Sequence, residues 1–98
     1  MTAASFSLTT PSPDTLAVSG DLTFATAADA LDQARTQLDR GGQTILDLAG
    51  VSHADSAGLA TVLALLAHAR SQGRAVKVAN APAGLQALAR VSGVDALI

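Results

Sequence analysis

Three residues with the side-chain chemistry of a serine hydrolase lie close together in this sequence. His53, Asp55 and Ser56 supply an imidazole, a carboxylate and a hydroxyl. A hydrolytic triad needs the imidazole within hydrogen-bond reach of the serine oxygen and the carboxylate behind the ring, and its members normally come from distant parts of a chain. The sequence His53-Ala54-Asp55-Ser56-Ala57 also lacks the Gly-x-Ser-x-Gly turn of hydrolases. We therefore predict no triad, with His53 exposed in a loop and Asp55 or Ser56 capping a helix.

Other catalytic and cofactor chemistries find equally little support. The chain has no cysteine, and its two histidines, His53 and His68, lack a second metal ligand at a useful spacing. Gly41-Gly42 follows a predicted helix instead of opening one, and there is no Gly-Lys-Ser or Gly-Lys-Thr phosphate loop. The sequence therefore predicts a protein that is not an enzyme and that uses no cofactor and no metal.

The composition of the chain limits the kinds of molecule that it could bind. Of the 98 residues, 49% are hydrophobic and 14% are charged, which predicts a packed globular chain. The formal net charge is −2, the basic residues are dispersed, and the aromatic residues are Phe6 and Phe24. This combination disfavours nucleic acid, whose binding uses clustered cations and aromatic stacking. The most apolar stretch, 58–67, is much shorter than the roughly 20 residues that cross a bilayer, so we expect no membrane insertion and a cytoplasmic location.

Glycine, proline and aspartate divide the chain into seven predicted elements. We predict strands at 6–9, 16–19, 44–48 and 76–78, and helices at 26–39, 56–71 and 83–91. The first two strands are joined by Pro11-Ser12-Pro13-Asp14, which is too short to return a parallel strand, so they should form a hairpin. Thr26 is the predicted N-cap of the first helix, and 50–53 is a predicted loop leading to the second.

The predicted order ββαβαβα indicates the fold class. Strands that alternate with helices after an initial hairpin favour an α/β fold, with a mixed four-stranded sheet and about three helices packed on it. Right-handed crossovers between parallel strands then determine most of the topology. Because no repeat, low-complexity tract or linker interrupts the sequence, we expect a single domain over 1–98.

The segment Asp55-Ser56-Ala57-Gly58-Leu59 carries the most functional information. It places an acid and a hydroxyl at the start of the predicted second helix, with small residues behind them. One interpretation is an N-cap with a purely structural role. The functional alternative is a protein contact or a phosphorylation point at Ser56, because an added phosphate would meet free N–H groups and the positive end of the helix dipole.

The remainder of that helix favours a protein contact. At about 100° per residue, one side carries Leu59, Val62, Leu63 and Leu66 and should face the sheet. The other side carries small and apolar residues without charge, namely Ala57, Thr61, Ala64, Leu65 and His68. We predict that these five residues, together with His53, Asp55 and Ser56, form a partner interface. A homodimer through the same uncharged face is the competing interpretation.

The sequence resembles the STAS family, whose domains are similar to bacterial anti-sigma factor antagonists. The resemblance rests on Gly20-Asp21-Leu22, the strand 45–48 and the loop-helix motif 51–59, and it continues through Gly73, 76–78 and 85–91. It covers nearly the whole chain. Ser56 matches the serine that a partner anti-sigma kinase phosphorylates in regulatory members, and Asp55 matches the acid beside it.

Within the family, the chain looks most like the MlaB subgroup, a small subunit of the ABC transporter that maintains outer-membrane lipid asymmetry. The cues are Gly20-Asp21-Leu22-Thr23-Phe24, the Ala-rich stretch 59–69, and Asn80-Ala81-Pro82 with 88–94. The resemblance implies a regulatory or assembly subunit without enzymatic activity. It would bind an MlaF-like ATPase subunit and so lie at the inner face of the inner membrane. The alternative that the resemblance implies is an anti-sigma factor antagonist switched by phosphorylation of Ser56.

Overall fold

Four strands form one mixed sheet. A computed structural model describes residues 3–98 and contains β1 (Phe6–Ser12), β2 (Thr15–Leu22), β3 (Ile45–Ala54) and β4 (Lys77–Ala79). The strand order is β1-β2-β3-β4, with β1 antiparallel to β2 and the other neighbours parallel. The predicted N-terminal hairpin and the mixed four-stranded α/β sheet are confirmed.

In the described part of the chain, three α-helices accompany the sheet: α1 (Ala27–Gly41), α2 (Ser56–Ser71) and α3 (Ala83–Val91). The bounds of α2 and α3 are those predicted. Helix α1 continues two residues beyond its predicted end at 39. Gly42 ends it, because this residue adopts the left-handed conformation with φ 66° and donates its N–H to the Leu38 carbonyl. A short 3-10 helix, Asp95–Leu97, is not predicted, because three residues are too few to show a hydrophobic period.

Three strands, β1, β2 and β3, continue beyond their predicted ends, and pairing between strands explains this. Residues 50–53, predicted as a loop, belong to β3 because they pair with β2. Strand β2 itself continues through Gly20, so that Asp21 lies opposite His53. Residues 11 and 12, predicted in a turn, extend β1 beyond a bulge, so the turn shrinks to Pro13-Asp14. Hydrogen bonds to a neighbouring strand hold these residues in place although their local pattern does not indicate a strand.

The three helices lie on one face of the sheet. Both parallel connections, from β2 to β3 and from β3 to β4, step across the sheet in the same direction. Because such crossovers are right-handed, the helices within them, α1 and α2, are placed on the same face. Helix α1 packs against α2, and α2 packs against α3. The sheet therefore covers one side of α2, and α1 covers a second side.

The hydrophobic core lies between that face and the helices. Its largest fully buried side chains come from β2, β3 and all three helices: Leu16, Leu38, Leu46, Leu48, Val62 and Leu85. Burial of each such side chain contributes about 1.5–3 kcal/mol relative to exposure. This packing holds the carboxyl ends of β2 and β3 beside the start of α2.

Candidate functional site

The candidate site lies where β2 and β3 end side by side. These strands are parallel, and Leu22 at the end of β2 pairs with Ala54 at the end of β3. The connections that follow therefore leave the sheet at the same edge, which is where α/β folds commonly bind their ligands and partners. One connection is the 23–25 loop before α1, and the other is the single residue Asp55 before α2.

Asp55 is the residue that caps α2. Its Oδ1 atom accepts a hydrogen bond from the Gly58 N–H at 3.0 Å, and its Oδ2 atom accepts one from the Phe24 N–H at 3.0 Å. The bond from Phe24, followed by the bond from Gly58, lowers the pKa of the Asp55 carboxyl because both favour the charged form. One carboxylate therefore both begins α2 and fastens the 23–25 loop to it.

Gly58 allows α2 to approach the end of β2 closely. A Cβ atom at this position would overlap the backbone carbonyl oxygen of Leu22. The contact explains why the motif beginning at Asp55 contains glycine in a helical first turn, where alanine would otherwise be favoured. The close approach brings the start of α2 against the 23–25 loop.

Ser56 occupies the first position of α2 and is exposed. As the first residue of the helix, it belongs to the turn whose N–H groups have no partner within the helix and carry the positive end of the dipole. A partner can therefore reach this hydroxyl, and a phosphate placed on it would lie in a favourable electrostatic position.

Phe24 is the functional candidate that the sequence analysis missed. Its side chain is 85% exposed, although its backbone N–H is fixed by Asp55. Buried Thr26 also holds the loop, because its hydroxyl donates to the Asp21 carbonyl at 2.7 Å and accepts from the Thr23 N–H at 3.1 Å. Thr26 is thus at the predicted N-cap position, but its side chain bonds back to the loop and not to α1. A loop that is held by hydrogen bonds and exposes an aromatic ring is typical of a contact surface. An isolated Phe in a sequence does not show whether its ring will be buried or exposed.

His53 is the second-last residue of β3, and no triad forms around it among the described residues. Its Nδ1 atom is 3.0 Å from Asp21 Oδ1, and its side chain is 77% exposed. The other carboxylate oxygen of Asp21 accepts a hydrogen bond from the Ser5 N–H at 3.1 Å. Within residues 3–98, no hydrogen bond joins His53 to Ser56. His53 belongs to strand β3 and not to a loop, but it is on the surface as predicted.

The predicted interface along α2 needs correction. Thr61 and Leu65 were expected on the outer side, yet they are only 4% and 2% exposed. His68, on the same side of the helix, is half-buried with Nε2 at 2.7 Å from Asp39 Oδ1 in α1. That contact shows that this side faces α1. The expectation was wrong because it considered the sheet as the only cover of α2, whereas the two crossovers place α1 beside it.

The exposed side of α2 is accordingly different from the predicted one. Ala57 and Ala64 are half-buried, and Ala60 and Ala67 are exposed. Leu63 and Leu66, expected against the sheet, are only partly buried at the edge of the core. We call the exposed or half-exposed group Phe24, His53, Ser56, Ala57 and Ala60 the Ser56 surface.

Within residues 3–98, no three potential metal-ligating side chains come together. No helix in that part of the chain is both long and apolar enough to cross a bilayer.

The same fold occurs in a regulatory protein of known structure. The anti-sigma factor antagonist SpoIIAA in its unphosphorylated form superimposes with a TM-score of 0.72 at 17% sequence identity, over 95% of this chain and 84% of that one. The phosphorylated form of the same Bacillus cell fate determinant superimposes with a TM-score of 0.67 at 17% identity, over 95% and 87% of the two chains. These comparisons show that the chain has the fold of a STAS domain.

The family follows from the sequence. The model of the MlaB-type STAS domain matches residues 8–98, so the chain belongs to this family. STAS domains are protein-interaction modules with regulatory roles and are typically not enzymes. A comparison with curated protein sequences gave no significant match.

Proposed function

We propose that this chain is a regulatory or assembly subunit that binds the ATPase of an ABC transporter for phospholipids through the Ser56 surface. The observation that carries the proposal is the match to the MlaB-type family over 8–98. The proposal places the chain in the cytoplasm, at the inner face of the inner membrane, where its partner would hold it. It assigns no chemical step to the chain.

An exposed aromatic ring next to small side chains makes the Ser56 surface suited to a protein contact. Phe24 offers a large apolar ring, and aromatic side chains fixed in position frequently dominate binding energy. Around it, Ser56, Ala57 and Ala60 are small, so a partner backbone can approach the start of α2 closely. Of the residues predicted from sequence, His53, Ser56 and Ala57 belong to the Ser56 surface, and Asp55 supports it through its hydrogen bonds.

Asp55 would prepare this surface for binding. Its two hydrogen bonds hold the Phe24 backbone and the first turn of α2 in one arrangement before a partner arrives. A surface that is already ordered loses less conformational entropy on association. Docking would then regulate the ATPase if the surface fits one conformation of the partner better than another, since a ligand shifts an equilibrium only by its difference in affinity.

The second candidate function is that of an anti-sigma factor antagonist. The exposure of Ser56 at the start of α2 favours it, and so does the shared fold with SpoIIAA, whose structure exists in phosphorylated and unphosphorylated forms. In this case an anti-sigma kinase would phosphorylate Ser56. The added charge of about −1.5 to −2 would change the contact with the kinase and release it.

Affinity purification of the tagged chain from its native host at low salt tests the two functions against each other. Mass spectrometry would identify the co-purified proteins and the modification state of Ser56. An ABC ATPase recovered with its permease, and unmodified Ser56, is the result we expect. Recovery of an anti-sigma kinase with phosphate on Ser56 would replace the transporter function with the second candidate.

The competing interpretation, a homodimer through the Ser56 surface, is tested with the chain purified away from its partners. Sedimentation of the purified chain alone should show a monomer if the Ser56 surface serves a different protein. A stable dimer that Phe24→Ser dissociates would instead show that this surface joins two copies.

A further inference from the structure

A groove lies along the C-terminal half of α2. Its walls are Leu63 and Leu66 from α2, Val76 from the segment before β4, and Leu97 from the 3-10 helix. The groove has a volume of about 470 Å³, which is within the range of small-molecule sites. Leu97 is 51% exposed, so part of its apolar surface faces this open space.

Two arginines give the groove a positive charge. Arg70 and Arg74 both line it. Arg74 donates from Nη1 to the Leu38 carbonyl at 2.7 Å, while its buried Nε and Nη2 atoms have no hydrogen-bond partner within residues 3–98. Arg70 is exposed. Neither arginine forms a salt bridge with a carboxylate of the described residues, so in a chain with net charge −2 they are two neighbouring cations that can attract an anion.

We propose that the groove binds a small anionic amphiphile, meaning an apolar chain that ends in a carboxylate or a phosphate. The apolar chain would lie against Leu63, Leu66 and Leu97, where its removal from water stabilises the complex. The anionic group would accept paired hydrogen bonds from the Arg70 guanidinium, a geometry that suits carboxylate and phosphate oxygens. Arg74 would add positive potential at the same wall.

The groove is separate from the Ser56 surface. Ser56 and Arg70 lie at opposite ends of α2, about 21 Å apart along its axis at 1.5 Å per residue. The proposal therefore does not depend on the proposed docking function, and a ligand and a protein partner would contact different ends of the helix.

Titration of the purified chain with decanoate, below its micelle-forming concentration, tests the proposal by nuclear magnetic resonance. We expect saturable shifts of the backbone amides of Leu66, Arg70, Val76 and Leu97, with the amides of Phe24 and Ser56 unchanged. Acetate, which has the carboxylate but no chain, should produce no saturable shift. Decyltrimethylammonium, which has the chain and the opposite charge, should bind at least about fivefold more weakly than decanoate.

Variants complete the test. Arg70→Gln should weaken decanoate binding about fivefold or more, whereas Arg90→Gln, which removes an exposed arginine from α3, should leave it unchanged. Ala67 also lines the groove. Ala67→Phe should therefore fill the groove and abolish binding, and its circular dichroism spectrum would show whether the fold is retained. Decanoate shifts that do not saturate, that centre on Phe24, or that are unaffected by Arg70→Gln would overturn the proposal. Equal affinity for the cationic probe would overturn it as well.

Discussion

The carboxylate of Asp55 accepts a hydrogen bond from the backbone N–H of Phe24 at 3.0 Å, although 31 positions separate them in the sequence. The other oxygen of the same carboxylate caps α2 through Gly58. The backbone that carries the exposed Phe24 ring and the helical turn that carries the exposed Ser56 are therefore joined by the residue that precedes Ser56. Both features of the proposed contact depend on this one side chain.

Replacement of Asp55 should loosen α2 and the 23–25 loop together. Asp55→Ala removes both acceptors and should lower the melting temperature more than Asp55→Asn, because an asparagine oxygen can still cap α2 while its NH₂ group cannot accept from Phe24. Thermal unfolding at neutral pH measures the difference. Asp29→Asn, at an exposed position in the first turn of α1, serves as the control and should change the melting temperature less.

The contribution of Asp55 should depend on pH in a defined direction. Its pKa in the folded protein is lowered from the ordinary value of 3.8, so its stabilising effect is complete above that value and is lost as the pH falls through the folded pKa. The difference in melting temperature between the natural protein and Asp55→Asn should therefore be constant near neutral pH and shrink below about pH 3.8. A difference that grew on acidification would contradict the assignment.

Gly58→Ala should be strongly destabilising. The new methyl group would overlap the Leu22 carbonyl oxygen, and backbone atoms cannot yield as a flexible side chain would. We expect a loss of about 1–3 kcal/mol in the free energy of unfolding, measured with urea. Gly84→Ala in α3 is the matched control, because a Cβ there meets no neighbour and should stabilise the protein by about 0.5–1 kcal/mol. Equal effects of the two variants would show that α2 does not press on β2.

Leu65→Ala tests the corrected orientation of α2. Because Leu65 is buried on the side that faces α1, its truncation should lower the free energy of unfolding by about 2–5 kcal/mol. Leu97→Ala, which truncates a half-exposed leucine, should cost much less. If Leu65→Ala were instead harmless to stability and reduced partner binding, the side first expected to be exposed would be the correct one.

Ser56→Glu should weaken binding to the protein that co-purifies with the chain. The variant adds a negative charge and a longer side chain at the centre of the Ser56 surface, while an exposed position should leave the melting temperature almost unchanged. Binding affinity can be measured by titration calorimetry, with Ser56→Ala as the smaller change. Binding as tight as that of the natural protein would place Ser56 outside the interface.

Phe24→Ser should weaken the same binding about tenfold or more, which corresponds to about 1.4 kcal/mol. Its stability should remain close to that of the natural protein, because the ring is exposed and the loop is held by backbone hydrogen bonds. Val91→Ala is the matched control, since Val91 is also an exposed large hydrophobic residue but lies at the end of α3. Equal losses of binding in the two variants would exclude Phe24 as a specific contact.

Local patterns in the sequence determined the order of elements and much of the fold. Alternating apolar residues in β2 and β3, the apolar period of α3, and glycines at 42, 73 and 93 with positive φ mark elements that the structure confirms. The prediction of an N-cap at Asp55 or Ser56 was also sound, because capping requires only a short polar side chain before the first helical turn. These features involve neighbours in the chain, and a single sequence displays them.

Tertiary structure decided what local pattern does not contain. The last residues of β3 are a strand because β2 lies beside them, and Thr61 and Leu65 are buried because α1 lies beside α2. The first fact follows from the parallel pairing of β2 with β3. The second follows from the handedness of two crossovers, which selects the face of the sheet where the helices meet. The pairing of Phe24 with Asp55 likewise needs the carboxyl ends of two parallel strands at one edge. Sequence alone thus determined which residues could cap, turn and pack, whereas the folded chain determined which of them remain exposed to a partner.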